Sequence, residues 1–425
     1  MPPATWLILA DDLTGAADCA IAFARRGLEA SVGWYAGAAG ETAGAVLAID
    51  ADSRRLPPAQ AAARHVALLR AHHRPGAGLI KKIDSTLRGQ PAAELAATHQ
   101  ALRAAGQPML AILAPAFPAT GRTTRDGRVR IDGMPLEATP LWARDHTYAS
   151  ADLGEILAQA GLAARLLPLD TLRAGHAALA ASLRAALAEG LDAVICDAEA
   201  VEDLAALARA SLGLAGQVYW AGSGGIAAAL AAALPDATEA PRAPTLPPAR
   251  GGVLVVVGSI AEASRAAAAR LAAEDAASRF SIPAATLRAG PAAPDWAALS
   301  TGIAASIGGG RDTLVEIAAD PAADLAQGAA LAEGLAALLR PAAARMGGLF
   351  ATGGETACAL LTQLGVHGIR LLEEVEPGVP LGITQGALEV PVMTKAGAFG
   401  HDATILRSLA RLRGFPRAPA PAVNQ

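Results

Sequence analysis

The sequence predicts an α/β fold of two domains, each a mostly parallel sheet flanked by helices, with the active site expected in the cleft between them. Three observations predict this. At 425 residues the chain exceeds what one ordinary core holds. Short apolar runs recur, each ending in a polar or glycine-rich corner and leading into a helical stretch, the rhythm of a parallel sheet covered on both faces. Between residues 235 and 252 that rhythm stops in a segment with five prolines, which reads as a linker. The expected division is residues 1–238, a linker over 239–252, and residues 253–425.

In the first half, a strand over Thr5–Ala10 ends in Asp11-Asp12-Leu13-Thr14-Gly15 and feeds a helix over about 16–26, with Gly27 as its C-cap. Strands follow at Ala30–Tyr35 and Ala45–Ile49. The second of these ends in Asp50-Ala51-Asp52-Ser53-Arg54-Arg55, before a helix after Pro57-Pro58. The run Gly78-Leu79-Ile80 closes a strand that leads to Lys81-Lys82-Ile83-Asp84-Ser85-Thr86-Leu87-Arg88-Gly89, and Pro91 opens the next helix. A fifth strand, Met109–Leu113, ends in a Pro115–Arg122 corner. Residues 123–147 read as an irregular excursion with a short hairpin at 127–133. Alternation resumes with a helix from Ala151, a strand at Ala193–Cys196, a helix over 201–212, a strand at Val218–Ala221, and a last helix opened by Gly222-Ser223-Gly224-Gly225.

In the second half, a strand over Val253–Val257 ends in Gly258-Ser259. Another, Thr313–Ile317, feeds a long helix to about Met346. Gly348–Ala351 ends in Thr352-Gly353-Gly354-Glu355-Thr356. Val390–Thr394 ends in Lys395-Ala396-Gly397-Ala398-Phe399-Gly400, before a helix over 401–413.

The composition narrows the function. A net charge of −4 offers no general attraction to nucleic acid or an anionic membrane, and 3% aromatics are too few for a base-stacking surface. Three scattered cysteines without a C-x-x-C fit neither a disulfide framework nor a zinc knuckle, and point to a reducing cytoplasm. No basic n-region precedes an apolar run, and no apolar stretch is long enough to span a membrane.

The corners carry the chemistry. Only three of the 35 basic residues are lysines, and two of them, Lys81 and Lys82, stand side by side at a strand end. Parallel strands would bring Asp11 and Asp12, Asp52-Ser53-Arg54, and Lys82, Asp84 and Ser85 to one sheet edge, where ligands bind in open α/β sheets. That set suits a small hydroxylated carboxylate: Arg54 to fork the acid, Lys82 to add charge, Asp12 or Asp84 to accept hydroxyl protons. Two other uses of these residues compete: a Mg²⁺ site from Asp11, Asp12 and Asp84, and plain helix capping by Asp12. In the second half, Gly258-Ser259, Gly353-Gly354-Glu355-Thr356 and Gly397–Gly400 each precede a helix, which suits the phosphates of a nucleotide. There is no Gly-Lys dipeptide, hence no P-loop. Gly222-Ser223-Gly224-Gly225-Ile226-Ala227 fits a dinucleotide fingerprint, but the acidic residue expected after the next strand falls in the proline segment. Neither Gly-x-Ser-x-Gly nor HExxH occurs.

Taken together, Ala10–Ala16, Asp52-Ser53-Arg54, Lys82–Gly89, Ala114–Pro118, Gly222–Gly225, Thr352–Thr356 and Lys395–Gly400 make the chain resemble, nearly end to end, the four-carbon acid sugar kinase family, formerly a domain of unknown function. The resemblance implies ATP-dependent phosphorylation of the 4-hydroxyl of D-threonate, D-erythronate or 3-oxo-tetronate, with D-threonate placed first. It implies an acid-binding N-terminal domain and an ATP-binding C-terminal domain that close before transfer. It implies substrate contacts from Asp12, Arg54, Lys82, Ile83, Asp84 and Ser85, with Asp12 or Asp84 as the catalytic carboxylate. ATP contacts would come from Ser259, Gly353, Gly354, Glu355, Thr356, Gly397 and Gly400, with Mg²⁺ bridging the phosphates. Ala396-Gly397-Ala398 departs mildly from the family's usual Ser-Gly-Gly or Ser-Gly-Asn. The expected partners are the sugar acid and ATP, with no nucleic acid and no membrane; a homo-oligomer is allowed by the sequence but not required. Two other readings stand beside this one: a dinucleotide-dependent oxidoreductase using the Gly222 loop, and a non-catalytic sensor of a sugar acid and nucleotide.

Overall fold

In the computed structural model the described residues are 2–35, 44–144, 146–235, 251–258, 261–274, 277–318, 328–395 and 400–415. The linker expected over 239–252 lies outside them except for Gly251 and Gly252. The chain divides into two compact units, one holding the described residues of Met1–Tyr35 and Thr42–Pro241, the other those of Arg242–Gln425.

The first unit begins with β1 (Trp6–Ala10), α1 (Leu13–Ala24), β2 (Ala30–Trp34), β3 (Val46–Asp50), α2 (Pro58–His72), β4 (Gly78–Lys82), α3 (Pro91–Ala104) and β5 (Leu110–Ala114). Each start is legible locally. Asp12 caps α1 by accepting from Gly15 N at 3.0 Å, and Pro58 and Pro91 sit in the first turns of α2 and α3, where a missing N–H costs nothing. The helix α1 starts three residues earlier than the sequence suggests and is C-capped by Arg25, with Gly27 just beyond at φ +80°.

The excursion is more regular than expected: β6 (Arg122–Arg125), β7 (Arg128–Ile131) and β8 (Met134–Pro135) form a small antiparallel sheet, followed by α4 (Pro140–Arg144) and α5 (Leu153–Gln159). Then come β9 (Ala164–Leu167), α6 (Leu169–Arg173), α7 (His176–Ala188), β10 (Ala193–Cys196), α8 (Val201–Leu212), β11 (Val218–Gly222) and α9 (Gly224–Ala233). The main sheet runs β2-β3-β1-β4-β11-β5-β10-β9, with every neighbouring pair parallel. Leu7, Leu9, Ile49, Leu79 and Ile83 face α2 and α3 in one core. On the opposite face α1 packs against β2, β3 and α9, and α9 against α8.

The second unit comprises β12 (Val253–Val257), α10 (Glu262–Glu274), β13 (Ser278–Ile282), α11 (Ala284–Ala289), α12 (Trp296–Gly308), β14 (Thr313–Ile317), α13 (Gly328–Ala343), β15 (Gly348–Thr352), α14 (Gly354–Gln363), β16 (Val366–Glu376), β17 (Val379–Gly386), β18 (Pro391–Lys395) and α15 (Thr404–Arg413). Strands β13-β14-β12-β15-β18 are parallel; β17 and β16 then extend the sheet antiparallel, with bulges between them. Val253, Val255, Val257, Phe350 and Met393 pack with α10 and α15.

A candidate sugar-acid site and a candidate nucleotide site

In the first unit, β3, β1 and β4 lie side by side and parallel, so their C-terminal ends share one edge. The strand order turns round at β1, the place where a doubly wound sheet leaves room for a ligand. Here the structure brings together Asp11 and Asp12 after β1, Arg54 after β3, and Lys82 and Asp84 at the end of β4. Arg54 forks Asp11, Nε to Oδ2 at 2.6 Å and Nη2 to Oδ1 at 2.9 Å, and reaches Asp12 through Nη1 at 3.0 Å and Nη2 at 2.8 Å. The Lys82 ammonium lies 3.4 Å from Asp11 Oδ1 and 3.3 Å from Asp12 Oδ1. Asp84 is forked in turn by Arg88, at 2.9 and 2.8 Å, and accepts from the Thr86 hydroxyl and backbone N–H.

The protonation states follow from this pairing. Burial pushes the Asp12 carboxyl up, but Arg54, Lys82 and the Thr14 hydroxyl outweigh it and hold the group below its ordinary value. For Asp84, burial again opposes ionisation, and Arg88 with Arg54 and Lys82 holds the carboxyl well down. Burial disfavours the Lys82 ammonium, yet Asp12 and Asp11 keep it charged far above neutrality. Three carboxylates thus meet three fixed cations. Asp12 caps α1 and holds Arg54 and Lys82 at once, so capping and site duty are not alternatives here. Asp12 and Asp84, held low in this way, are weak bases. Guanidinium and ammonium groups face the oxygens of Asp11, Asp12 and Asp84, the set that the sequence also offered for Mg²⁺. No cluster of three metal-ligating side chains occurs among the described residues.

The two adjacent lysines meet different surroundings. Successive strand residues face opposite sides: Lys82 points to the α1 side, while Lys81 is wholly buried on the other and bonds Glu94 of α3 at 2.7 Å. Ile83, expected among the substrate contacts, turns its side chain away from this corner. It is a core residue, and its N–H donates to Gly222 O at 2.8 Å. Ser85 is half-buried in the same corner. Gly15, overlooked as a site residue, is required by close approach: a Cβ there would stand 2.2 Å from Lys82 Nζ. Its signal was a glycine inside the first turn of an otherwise good helix.

The fingerprint glycines are packing residues. A Cβ on Gly222 would meet Ala114 O at 2.2 Å, one on Gly224 the Asp18 carboxylate at 2.2 Å, and one on Gly225 Ala116 O at 2.5 Å. Ser223 caps α9 through Gly225 N at 3.1 Å and donates to Ala116 O at 2.7 Å.

In the second unit, β12, β15 and β18 are neighbours whose C-terminal ends carry Gly258, Gly353 and Lys395. Gly353 caps α14 at φ +89° with no side-chain capping bond, so the first-turn N–H groups of α14 point outward from a glycine corner. Gly354 and Glu355 form that first turn, with Glu355 exposed. Thr356 packs so closely on Gly258 that a Cβ there would lie 2.1 Å from its hydroxyl. Gly400 adopts φ +77° beside Thr404. Ser259 and Gly397 lie outside the described residues. The Lys395 side chain is buried, its ammonium 3.1 Å from Ser264 Oγ, and burial pushes its pKa down to about 8 against a partial pull from Glu376.

Residues 6–230 match a model described as a sugar-binding N-terminal domain, and residues 254–405 one described as a nucleotide-binding C-terminal domain. The chain is 46% identical over 406 residues to the D-threonate kinase of Cupriavidus necator, covering 94% of this chain and 96% of that one. It is 32% identical to the D-threonate kinase of Salmonella typhimurium, over 95% of this chain and 97% of the relative. It is also 32% identical to a 3-oxo-tetronate kinase of Methylobacterium radiotolerans, over 92% and 95%. A solved Salmonella typhimurium structure shares the fold at TM-score 0.78 and 21% identity, covering 95% of this chain and 98% of that one. The chain belongs to the four-carbon acid sugar kinase family.

Proposed function

We propose that this chain is an ATP-dependent kinase that phosphorylates the 4-hydroxyl of a four-carbon sugar acid, with D-threonate as its substrate. The observation that carries the reading is the convergence of Arg54, Lys82, Asp12 and Asp84 on one sheet edge, in a chain so similar along its whole length to D-threonate kinases. Arg54 and Lys82 take the acid's carboxylate. Asp12 and Asp84, ionised and held by cations, accept hydrogen bonds from its hydroxyls and orient them. Their weak basicity suits phosphoryl transfer, whose loose transition state asks chiefly for positioning and charge neutralisation.

The 4-hydroxyl oxygen attacks the γ-phosphorus, the bond to the β-phosphate oxygen breaks, and the hydroxyl proton leaves with the products ADP and 4-phospho-D-threonate. ATP enters as its Mg²⁺ salt and meets the Gly353–Thr356 corner, with Gly258 and Gly400 beside it. Ser259 and Gly397 belong to this proposed set. No described helix is long and apolar enough to cross a membrane, and none of the three cysteines forms a disulfide; a cytoplasmic enzyme accords with both.

The test is coupled ADP release with Mg²⁺·ATP against D-threonate, D-erythronate, their L-isomers and 3-oxo-tetronates. Fastest turnover on D-threonate is expected. Preference for D-erythronate or a 3-oxo acid keeps the reaction and changes the substrate. ATP and acid binding without turnover would make the chain a sensor.

A further inference from the structure

We propose that the buried tetrad Ser53, His65, Lys81 and Glu94 is a positioning device that sets how Arg54 and Lys82 meet the carboxylate of the sugar acid, an inference that rests on the function proposed above. The four side chains lie on the far side of the sheet from the site, each at most 1% exposed. Ser53 Oγ donates to Glu94 Oε1 at 2.7 Å, and the Lys81 ammonium sits 2.7 Å from Glu94 Oε2. His65 Nε2 lies 3.0 Å from Ser53 Oγ and 3.3 Å from Glu94 Oε2. With the Ser53 proton given to Glu94, Nε2 is the nitrogen of His65 that carries hydrogen. Burial and the Lys81 charge keep the ring neutral, and burial of Glu94 is outweighed by Lys81 and His65, which keep it ionised.

Stability alone does not account for this arrangement, since a buried ion pair seldom stabilises more than well-packed apolar residues would. Its placement does. Lys81 immediately precedes Lys82 on β4, so strand alternation turns it away from the site, and Ser53 immediately precedes Arg54 in the loop after β3, where its hydroxyl turns to Glu94 while Arg54 turns to Asp11 and Asp12. Lys81 also donates to the carbonyl of Lys82 itself, at 2.9 Å. Through Glu94 the tetrad therefore ties the end of β3 to the end of β4. The loop between Asp50 and Arg54 needs such a tie. Asp52 sits at φ +47°, a conformation few side chains adopt. Arg64, beside His65 on α2, adds bonds to the carbonyls of Ala51 at 3.0 Å and Asp52 at 2.6 Å. A slackened tetrad lets both cations drift relative to Asp11 and Asp12 without removing either from the site.

The test uses the full chain with Ser53→Ala and Glu94→Gln. The expected result is a KM for D-threonate raised about tenfold in each, because sub-ångström misplacement of binding groups costs that order, with the KM for ATP nearly unchanged for Ser53→Ala. A second readout needs no turnover: the Arg54 Nε–H, bonded to Asp11 at 2.6 Å, should exchange with water faster in both variants. Unchanged acid KM and unchanged Nε–H exchange in Ser53→Ala would overturn the proposal, whether or not Glu94→Gln folds. A wild-type chain that turns over none of the acids would sink the substrate assignment instead, and the exchange rate would still decide the positioning role.

Discussion

Arg54 grips Asp11 with two parallel hydrogen bonds, Nε to Oδ2 at 2.6 Å and Nη2 to Oδ1 at 2.9 Å, and through the same guanidinium holds Asp12. A single planar fork thus aligns both aspartates that follow β1. Replacing Arg54 with Ala should raise the KM for the acid about a hundredfold or more, the loss expected for a buried charge-assisted fork, while the KM for ATP stays near wild type. Arg54→Lys should rescue little, because an ammonium cannot bond two carboxylates in one plane. Steady-state kinetics with each substrate varied in turn decides this; an unchanged acid KM removes Arg54 from its role.

Gly15 makes room for Lys82. Alanine favours a helix over glycine by about 1 kcal/mol, so Gly15→Ala should leave α1 folded. Its methyl group would stand 2.2 Å from Lys82 Nζ and 2.5 Å from Asp12 Oδ1 and must displace the ammonium. The expected outcome is a folded protein of lower thermal stability, because the buried pairing and the α1 cap are disturbed, with weak acid binding read by calorimetric titration with D-threonate. Tight binding would show that Lys82 need not sit where it does.

Asp84 is held ionised below its ordinary value of 3.8 by Arg88 against the cost of burial. At a pH between the folded and unfolded values the unfolded chain binds more protons, so falling pH favours unfolding. This stability is fully present above the unfolded value near 4 and is lost as pH drops through the folded one. Urea midpoints should therefore fall steeply for wild type below about pH 4 and less steeply for Asp84→Asn, the two converging in acid. Parallel curves would mean that Asp84 is not held down.

Lys395 gives the same sign in a higher pH window and for a different reason, since burial disfavours its charged form. Its pKa is pushed from 10.5 to about 8 by burial. Between those values the unfolded chain keeps the proton and the folded one sheds it, so stability rises with pH, by up to about 1.4 kcal/mol per unit. Wild type should gain over Lys395→Met in unfolding free energy between about pH 8 and 10. Bound ATP should move that gain to higher pH, since phosphate favours the ammonium form. A titration indifferent to ATP would place Lys395 outside nucleotide binding.

The alternation of apolar runs, corners and helices was enough to expect parallel sheets. Asp12, Arg54, Lys82 and Asp84 were legible because parallel strands send all their C-terminal ends to one edge, whatever the details of packing. Strands β13 and β9 left little trace. They lie at sheet edges, and the exposed Arg279 and Ser281 and the half-exposed Arg165 break any apolar run. The β16–β17 hairpin was missed because its bulged pairing interrupts regular alternation.

By itself the sequence determined which chemical groups stand at which strand ends, since local periodicity and capping residues fix where strands stop and helices begin. Only the tertiary structure decided which of those groups meet. Lys81 and Lys82 are neighbours in the chain, yet one faces Asp11 and Asp12 and the other is sealed against Glu94. The physical reason is that a strand sends adjacent side chains to opposite faces, and what waits on each face is brought there by helices from elsewhere in the chain.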